Sequence, residues 1–164
     1  MITIYTDGSS RGNPGPGGWG AIIGTETEVI ELGGRENHTT NNRMELMACI
    51  KALEEIKKEN IGNKIELFSD SSYVVKGITE WIFNWQKKGW KTANKKSVEN
   101  KDLWERLFDA TQNLNIKWKL VPGHSGVNAN ERCDEIATLY ADNEKVILQR
   151  NPRKDYKIDL EWKT

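Results

Sequence analysis

The chain has 164 residues, and its 24 lysines and arginines are balanced by 24 aspartates and glutamates, so the formal net charge is zero. That length suits one domain with a single good core and is short for two, and a zero total excludes a protein held to nucleic acid by overall charge alone. A mean hydropathy of −0.71 with 29% charged residues excludes a membrane-embedded chain, since no apolar run approaches the about 18 residues of a bilayer span.

Residues 2–6, 19–23 and 28–32 are rich in β-branched and aromatic side chains and predict three successive strands, an antiparallel meander. The N-terminus enters the first strand without a basic or apolar leader, which predicts a cytoplasmic protein. Between the first two strands lies SSRGNPGPGG, whose glycines and prolines predict a loop. From 43 to 59, Leu46, Cys49, Ile50, Leu53 and Ile56 recur at helical spacing, and Asn42 followed by Glu45 predicts a capping box at the helix start. A strand at 64–69 reached through that helix predicts a crossover and a parallel neighbour. Two short helices follow at 71–76 and 79–87, broken at Gly77. Next comes QKKGWKTANKK, which holds Lys87, Lys88, Lys91, Lys95 and Lys96 without an acid among them.

Leu103, Leu107, Phe108 and Leu114 mark another helix, 116–121 a fifth strand, PGHSGVNAN a loop and 131–143 a last helix. Such an order gives an α/β fold, a mixed sheet with helices on its faces. The tail 144–164 mixes charges, Pro152 and scattered apolar residues (Ile158, Leu160, Trp162), and predicts loose packing or fraying. Cys49 and Cys133 are isolated within helical patterns and read as idle thiols.

Four acids stand where the chain changes direction: Asp7 after the first strand, Glu45 at a helix start, Asp70 after the fourth strand and Asp134 early in the last helix. Residues just past strand ends gather at one edge of such a sheet, and four carboxylates meeting there would repel unless a divalent cation neutralised them. Taken singly, each is equally a cap, a turn residue or a solvated surface charge.

In combination, Asp7-Gly8-Ser9, TTNNRMEL at 39–46, SDSSYV at 69–74 and GHSG with NERCDE between 123 and 135 resemble the ribonuclease H family in its bacterial type I form, over about 140 residues in order. The resemblance implies the ribonuclease H-like fold, a five-stranded mixed sheet whose first three strands are antiparallel. It also implies a catalytic domain over 1–143, with a basic protrusion at 86–96, and a C-terminal tail over 144–164. The implied activity is endonucleolytic hydrolysis of the RNA strand of RNA/DNA hybrids by a two-metal-ion mechanism, leaving 5′-phosphate and 3′-hydroxyl ends.

Carried onto this chain, the resemblance makes Asp7, Glu45, Asp70 and Asp134 ligands of two Mg²⁺ ions, for which Mn²⁺ can substitute, and makes His124 a proton shuttle. It places Ser10, Asn13, Asn41 and Asn42 along the RNA strand. Ser72 stands where many relatives carry glutamine and reaches less far. Thr40, Arg43 and Asn84 match a pocket for a DNA phosphate, and Trp81 and Trp85 a wall for deoxyribose. Lys87, Lys88 and Trp90 belong to the basic handle of a free-standing enzyme, expected to act as a monomer without an obligate protein partner. A DNA nuclease of the same fold and a non-catalytic hybrid-binding module are the alternatives.

Overall fold

The computed structural model describes residues 1–122 and 127–161. Its strands are β1 (Ile2–Ser10), β2 (Gly15–Gly24), β3 (Glu28–Thr39), β4 (Lys64–Ser69), β5 (Asn115–Leu120) and β6 (Arg150–Pro152), and its main helices are α1 (Asn41–Lys58), α2 (Ser72–Lys76), α3 (Ile82–Lys87), α4 (Lys101–Thr111) and α5 (Asn128–Ala141). The sheet order is β5-β4-β1-β2-β3-β6. The β1–β2–β3 meander is antiparallel as expected. Likewise β4, reached through α1, lies parallel to β1, and β5 parallel to β4.

Alternate side chains of the strands feed two apolar layers. Ile4 of β1 and Ile23 of β2 join Leu46, Ile50 and Leu53 of α1 and Trp104 of α4, whereas Tyr5 and Ile22 join Cys133 of α5 and Tyr156 and Leu160 of the tail. The period of two along a strand is what lets one sheet serve both layers. Both cysteines are buried and unbridged, and burial pushes the Cys49 thiol up to about 12, which suits inert packing.

Five expectations change. The sheet has six strands rather than five, because the tail supplies β6, which pairs with β3. The tail is correspondingly packed, with Tyr156 and Leu160 buried. The glycine-rich segment is mostly strand: β1 and β2 pair out to Ser10 and Gly17, and only residues 11–14 are left as a bend. At Gly18 and Gly20 a β-carbon would press on the backbone of α5, so these glycines permit close helix-on-sheet packing.

The start of α1 is capped by Thr40, whose hydroxyl accepts from the Arg43 N–H at 3.2 Å, rather than by Asn42. Finally, Gly77 does not break the helix. Gly77–Trp81 is a π-helical turn joining α2 to α3, and a β-carbon at Gly77 would overlap the buried ring of Trp104.

Candidate active site

Thr6 of β1 pairs with Ser69 of β4, so one step further along two parallel strands Asp7 and Asp70 come off side by side. Glu45 reaches the same point from the other direction. A β-carbon at Gly8 would overlap the backbone of Met44 and Glu45, so the absence of one lets α1 lie against β1 beside Asp7. Carboxylate oxygens of Asp7, Glu45 and Asp70 lie within 4.8 Å of one another. Asp134, the seventh residue of α5, lines the same cleft of about 300 Å³ with Asn41, Asn42, Ser71, Asn130 and Glu131. The level of α5 is set at Gly20, the partner of Asp7 in β2, where the helix backbone at Cys133 rests on the strand.

Among the described residues few donors reach the carboxylates of Asp7 and Glu45. Asp7 Oδ1 accepts from the Gly8 N–H at 2.8 Å, and the buried Oε2 of Glu45 has no hydrogen-bond partner among the described residues. Two unit charges about 4.8 Å apart repel by about 3 kcal/mol at an effective dielectric of ~20. Burial, then the charge of Asp70, pushes the Asp7 carboxyl up to about 7. Burial, then the charges of Asp7 and Asp70, holds Glu45 well above the usual carboxylate range. Three hard oxygen ligands, one with an orphaned buried oxygen and two, Asp7 and Glu45, destabilised as anions, fit a divalent cation that would restore their charge and coordination.

The surrounding polar residues fall into two groups. Asn13 Oδ1 accepts from the Asn41 N–H at 3.1 Å, and Asn41 Oδ1 accepts from the Ser10 N–H at 2.7 Å. That stitching fixes the loop after β1 to the start of α1, with Asn41 and Asn42 facing the cleft. Ser72 is exposed at the start of α2, while its neighbour Ser71 lines the cleft and caps α2. Ser71, Asn130 and Glu131 were not singled out from sequence. The signal for the last two was their position four and three residues before Asp134, on one helical face. His124 lies outside the described residues.

A second groove is lined by Trp81, Asn84, Trp85, Lys88 and Lys91. Trp81 and Trp85 stand 6.0 Å apart by ring centroids, and Trp85 and Trp90 6.3 Å. Trp81 is 37% exposed, whereas Trp85 packs against the core, which divides them as groove and support. Lys87 and Lys88 are exposed. Thr40 and Arg43 are not part of that groove's lining: Thr40 serves as the α1 cap, and the Arg43 fork is taken by Asp102, at 3.0 and 2.7 Å, and by Asn100.

The comparisons with known proteins coincide with this geometry. The family model described as RNase H matches residues 1–142. A ribonuclease H of Pseudomonas fluorescens is 50% identical over 141 residues, 86% of this chain and 92% of the relative. One of Alcanivorax borkumensis is 54% identical over 144 residues, 88% and 93% of the two chains. Among solved structures, LC9-RNase H1, a type 1 RNase H with the type 2 active-site motif, superposes with a TM-score of 0.78 at 30% identity, covering 88% of this chain and 73% of that one. LC11-RNase H1 in complex with an RNA/DNA hybrid gives 0.67 at 26% identity, covering 87% and 98%. A match that runs from the first strand to the end of the helix bearing Asp134, with relatives half identical along it, places this chain in the ribonuclease H family.

Proposed function

We propose that the acid-lined cleft is a two-metal phosphodiesterase site in which Asp7, Glu45, Asp70 and Asp134 hold the ions. As a family member the protein is a hydrolase that cuts the RNA strand of RNA/DNA hybrids, and the family depends on a divalent metal that the Asp7, Glu45 and Asp70 cluster could bind. The observation that carries the site reading is the convergence of three carboxylates within 4.8 Å at the end of two parallel strands. Mg²⁺ is the expected metal, with Mn²⁺ as a substitute, because all the donors are hard oxygens.

Bound ions supply Lewis-acid stabilisation of the phosphate and a water acidified enough to attack it. The chain's own residues do the rest. Asp7 and Asp70 would be the principal ligands, Glu45 would serve the leaving-group side and the ribose, and Asp134 the water-activating side. His124 passes a proton at the leaving 3′ oxygen, so that 5′-phosphate and 3′-hydroxyl ends result. Ser10, Asn13, Asn41 and Asn42 read 2′-hydroxyls, since an amide both donates and accepts. Ser72 contributes a weaker contact. Thr40, Arg43 and Asn84 receive a DNA phosphate, Trp81 and Trp85 pack deoxyribose, and Lys87, Lys88 and Trp90 grip the duplex beyond. The enzyme works as a cytoplasmic monomer, and residues 1–143 carry the catalytic groups.

Among the described residues no helix is long and apolar enough to cross a membrane. Cleavage of matched labelled duplexes by the wild type and Asp70→Asn, across a Mg²⁺ titration, tests the reading. Cleavage confined to the hybrid and lost in Asp70→Asn is expected. Equal activity in both proteins would overturn the site, strong cutting of DNA/DNA would point to a DNA nuclease, and tight hybrid binding without product would point to a binding module.

A further inference from the structure

Outside the cleft a polar cluster is centred on Glu31 of β3, which is 3% exposed. Its carboxylate accepts four hydrogen bonds: from Arg132 Nε at 2.9 Å and Nη2 at 2.8 Å, from the Tyr156 hydroxyl at 2.6 Å and from the Gln149 N–H at 2.9 Å. Arg132 also donates to the Ile147 carbonyl at 3.0 Å and to Glu135. One buried acid thus ties together a sheet strand, the helix α5 and the tail. The tail's contribution comes from Ile147, Gln149 and Tyr156, all beyond the 1–142 span that the family model matches.

Two features of α5 give that cluster a task. Among the described residues the helix has no side-chain cap at its start, where Val127 is the capping position, whereas its far end is held by Arg35, which donates to the Tyr140 and Ala141 carbonyls at 3.3 and 3.1 Å. Asp134 also stands apart from the three clustered carboxylates, so its reach depends on where α5 is set. Arg132 sits two residues before Asp134, about 200° around the helix on the opposite side. Pinning one side of that turn fixes the other.

We propose that Glu31, with Arg132 and Tyr156, is a positioning device that sets the first turns of α5 and thereby holds Asp134 at working distance from Asp7, Glu45 and Asp70. The proposal rests on the two-metal reading of the cleft. The tail is then part of the catalytic apparatus at one remove: Tyr156 and Gln149 satisfy the lone pairs of Glu31 that Arg132 leaves over, and so keep the carboxylate aimed at the helix. Small displacements of a reacting group carry large kinetic penalties, up to about 100-fold for about 1 Å.

The test compares full-length Arg132→Lys and the milder Tyr156→Phe with Leu53→Ala, a core variant on α1 that destabilises the protein from the other layer. Assays run well below each variant's melting temperature. Arg132→Lys is expected to lower kcat about tenfold or more with KM changed less than about twofold, and Tyr156→Phe to lower it several-fold. Both should weaken Mg²⁺ binding measured by calorimetry without substrate, and both should speed amide exchange in residues 128–134. Leu53→Ala should change none of these three. Wild-type kcat, Mg²⁺ affinity and exchange in folded Arg132→Lys would overturn the positioning role, as would an equal kcat loss in Leu53→Ala. A wild type that fails to cut hybrids would instead sink the proposed function, and exchange at 128–134 would still decide whether the cluster sets α5.

Discussion

Two buried carboxylate sites lie on either side of one turn of α5 and have opposite characters. Glu31 is surrounded by donors: burial pushes its carboxyl up, but Arg132, Tyr156 and the Gln149 N–H together outweigh burial and hold it below the usual range. Among the described residues Asp7 and Glu45 have a single backbone donor, the Gly8 N–H, and one another, and both are pushed up. A buried acid with its lone pairs filled is a structural joint, while a buried acid without donors is a place that awaits a cation. Charge and burial alone do not separate the two; the count of donors does.

The largest test of that contrast exchanges the charges one at a time. Asp7→Asn is expected to cut activity by about 1000-fold or more, a loss of the size seen when a key electrostatic group is removed, while metal-free stability rises because a repulsive anion has gone. Glu31→Gln should leave the partly buried Arg132 with, among the described residues, only the exposed Glu135 as a charged partner and cost on the order of 3 kcal/mol, a fall in Tm of roughly 10 °C for a chain of this size. Thermal melts in EDTA beside cleavage assays check both. The contrast fails if Asp7→Asn melts lower than the wild type or if Glu31→Gln is neutral.

Next in size comes an opposition in pH. Asp7 has a folded value of about 7 against 3.8, so the folded state binds its proton more tightly than the unfolded state. Its contribution is present below pH ~4 and is lost as pH climbs toward ~7, a change on the order of 4 kcal/mol in metal-free protein. Glu31 runs the other way, because its folded value is lowered: its stabilisation is present above about pH 4.5 and is lost as pH falls through the folded value. Urea denaturation across pH 4–8 in EDTA should show stability falling on the alkaline side. Millimolar Mg²⁺ or Asp7→Asn should flatten that limb. A limb unchanged in Asp7→Asn would show that other groups cause it.

The sequence disclosed the acid site better than the acid joint, and the reasons are local. Asp7 stands inside β1, one residue past its last pair with β4, and Asp70 follows β4, so although the first strand runs on beyond its expected end, the place of both acids at one edge of the parallel pair is legible from pattern and topology. Glu31 sits in a strand pattern and looks like any alternating polar residue, because its partners Arg132 and Tyr156 are about 100 and 125 residues away. The same distance hid β6, whose three residues pair only because the tail is drawn onto β3. Local preference also misled around Gly18 and Gly77, where glycine marks the close approach of a helix or of the Trp104 ring rather than a turn or a break. Ser71, by contrast, was hidden by a single position: the family motif drew attention to Ser72, one residue further into α2.

A third kind of carboxylate gives the smallest effect. The Asp102 side chain is 64% exposed and pairs with Arg43 at 2.7 Å, an arrangement worth about 0–1 kcal/mol to stability. It has neither the filled shell of Glu31 nor the isolation of Asp7, so its removal should barely move the fold. What it does is occupy both terminal nitrogens of the one arginine assigned to a DNA phosphate. A phosphate arriving there must share or displace that carboxylate, and the pair carries no net charge to attract it. Asp102→Asn should therefore shift Tm by no more than about 2 °C while lowering KM for the hybrid several-fold, with the slope of log KM against log salt steeper by about 0.7–0.9, as expected for one more neutralised phosphate. Steady-state kinetics at several KCl concentrations measure both. A KM that rises instead would mean that Asp102 holds Arg43 in its binding posture, and would move this exposed pair from the competing class into the positioning class that Glu31 represents.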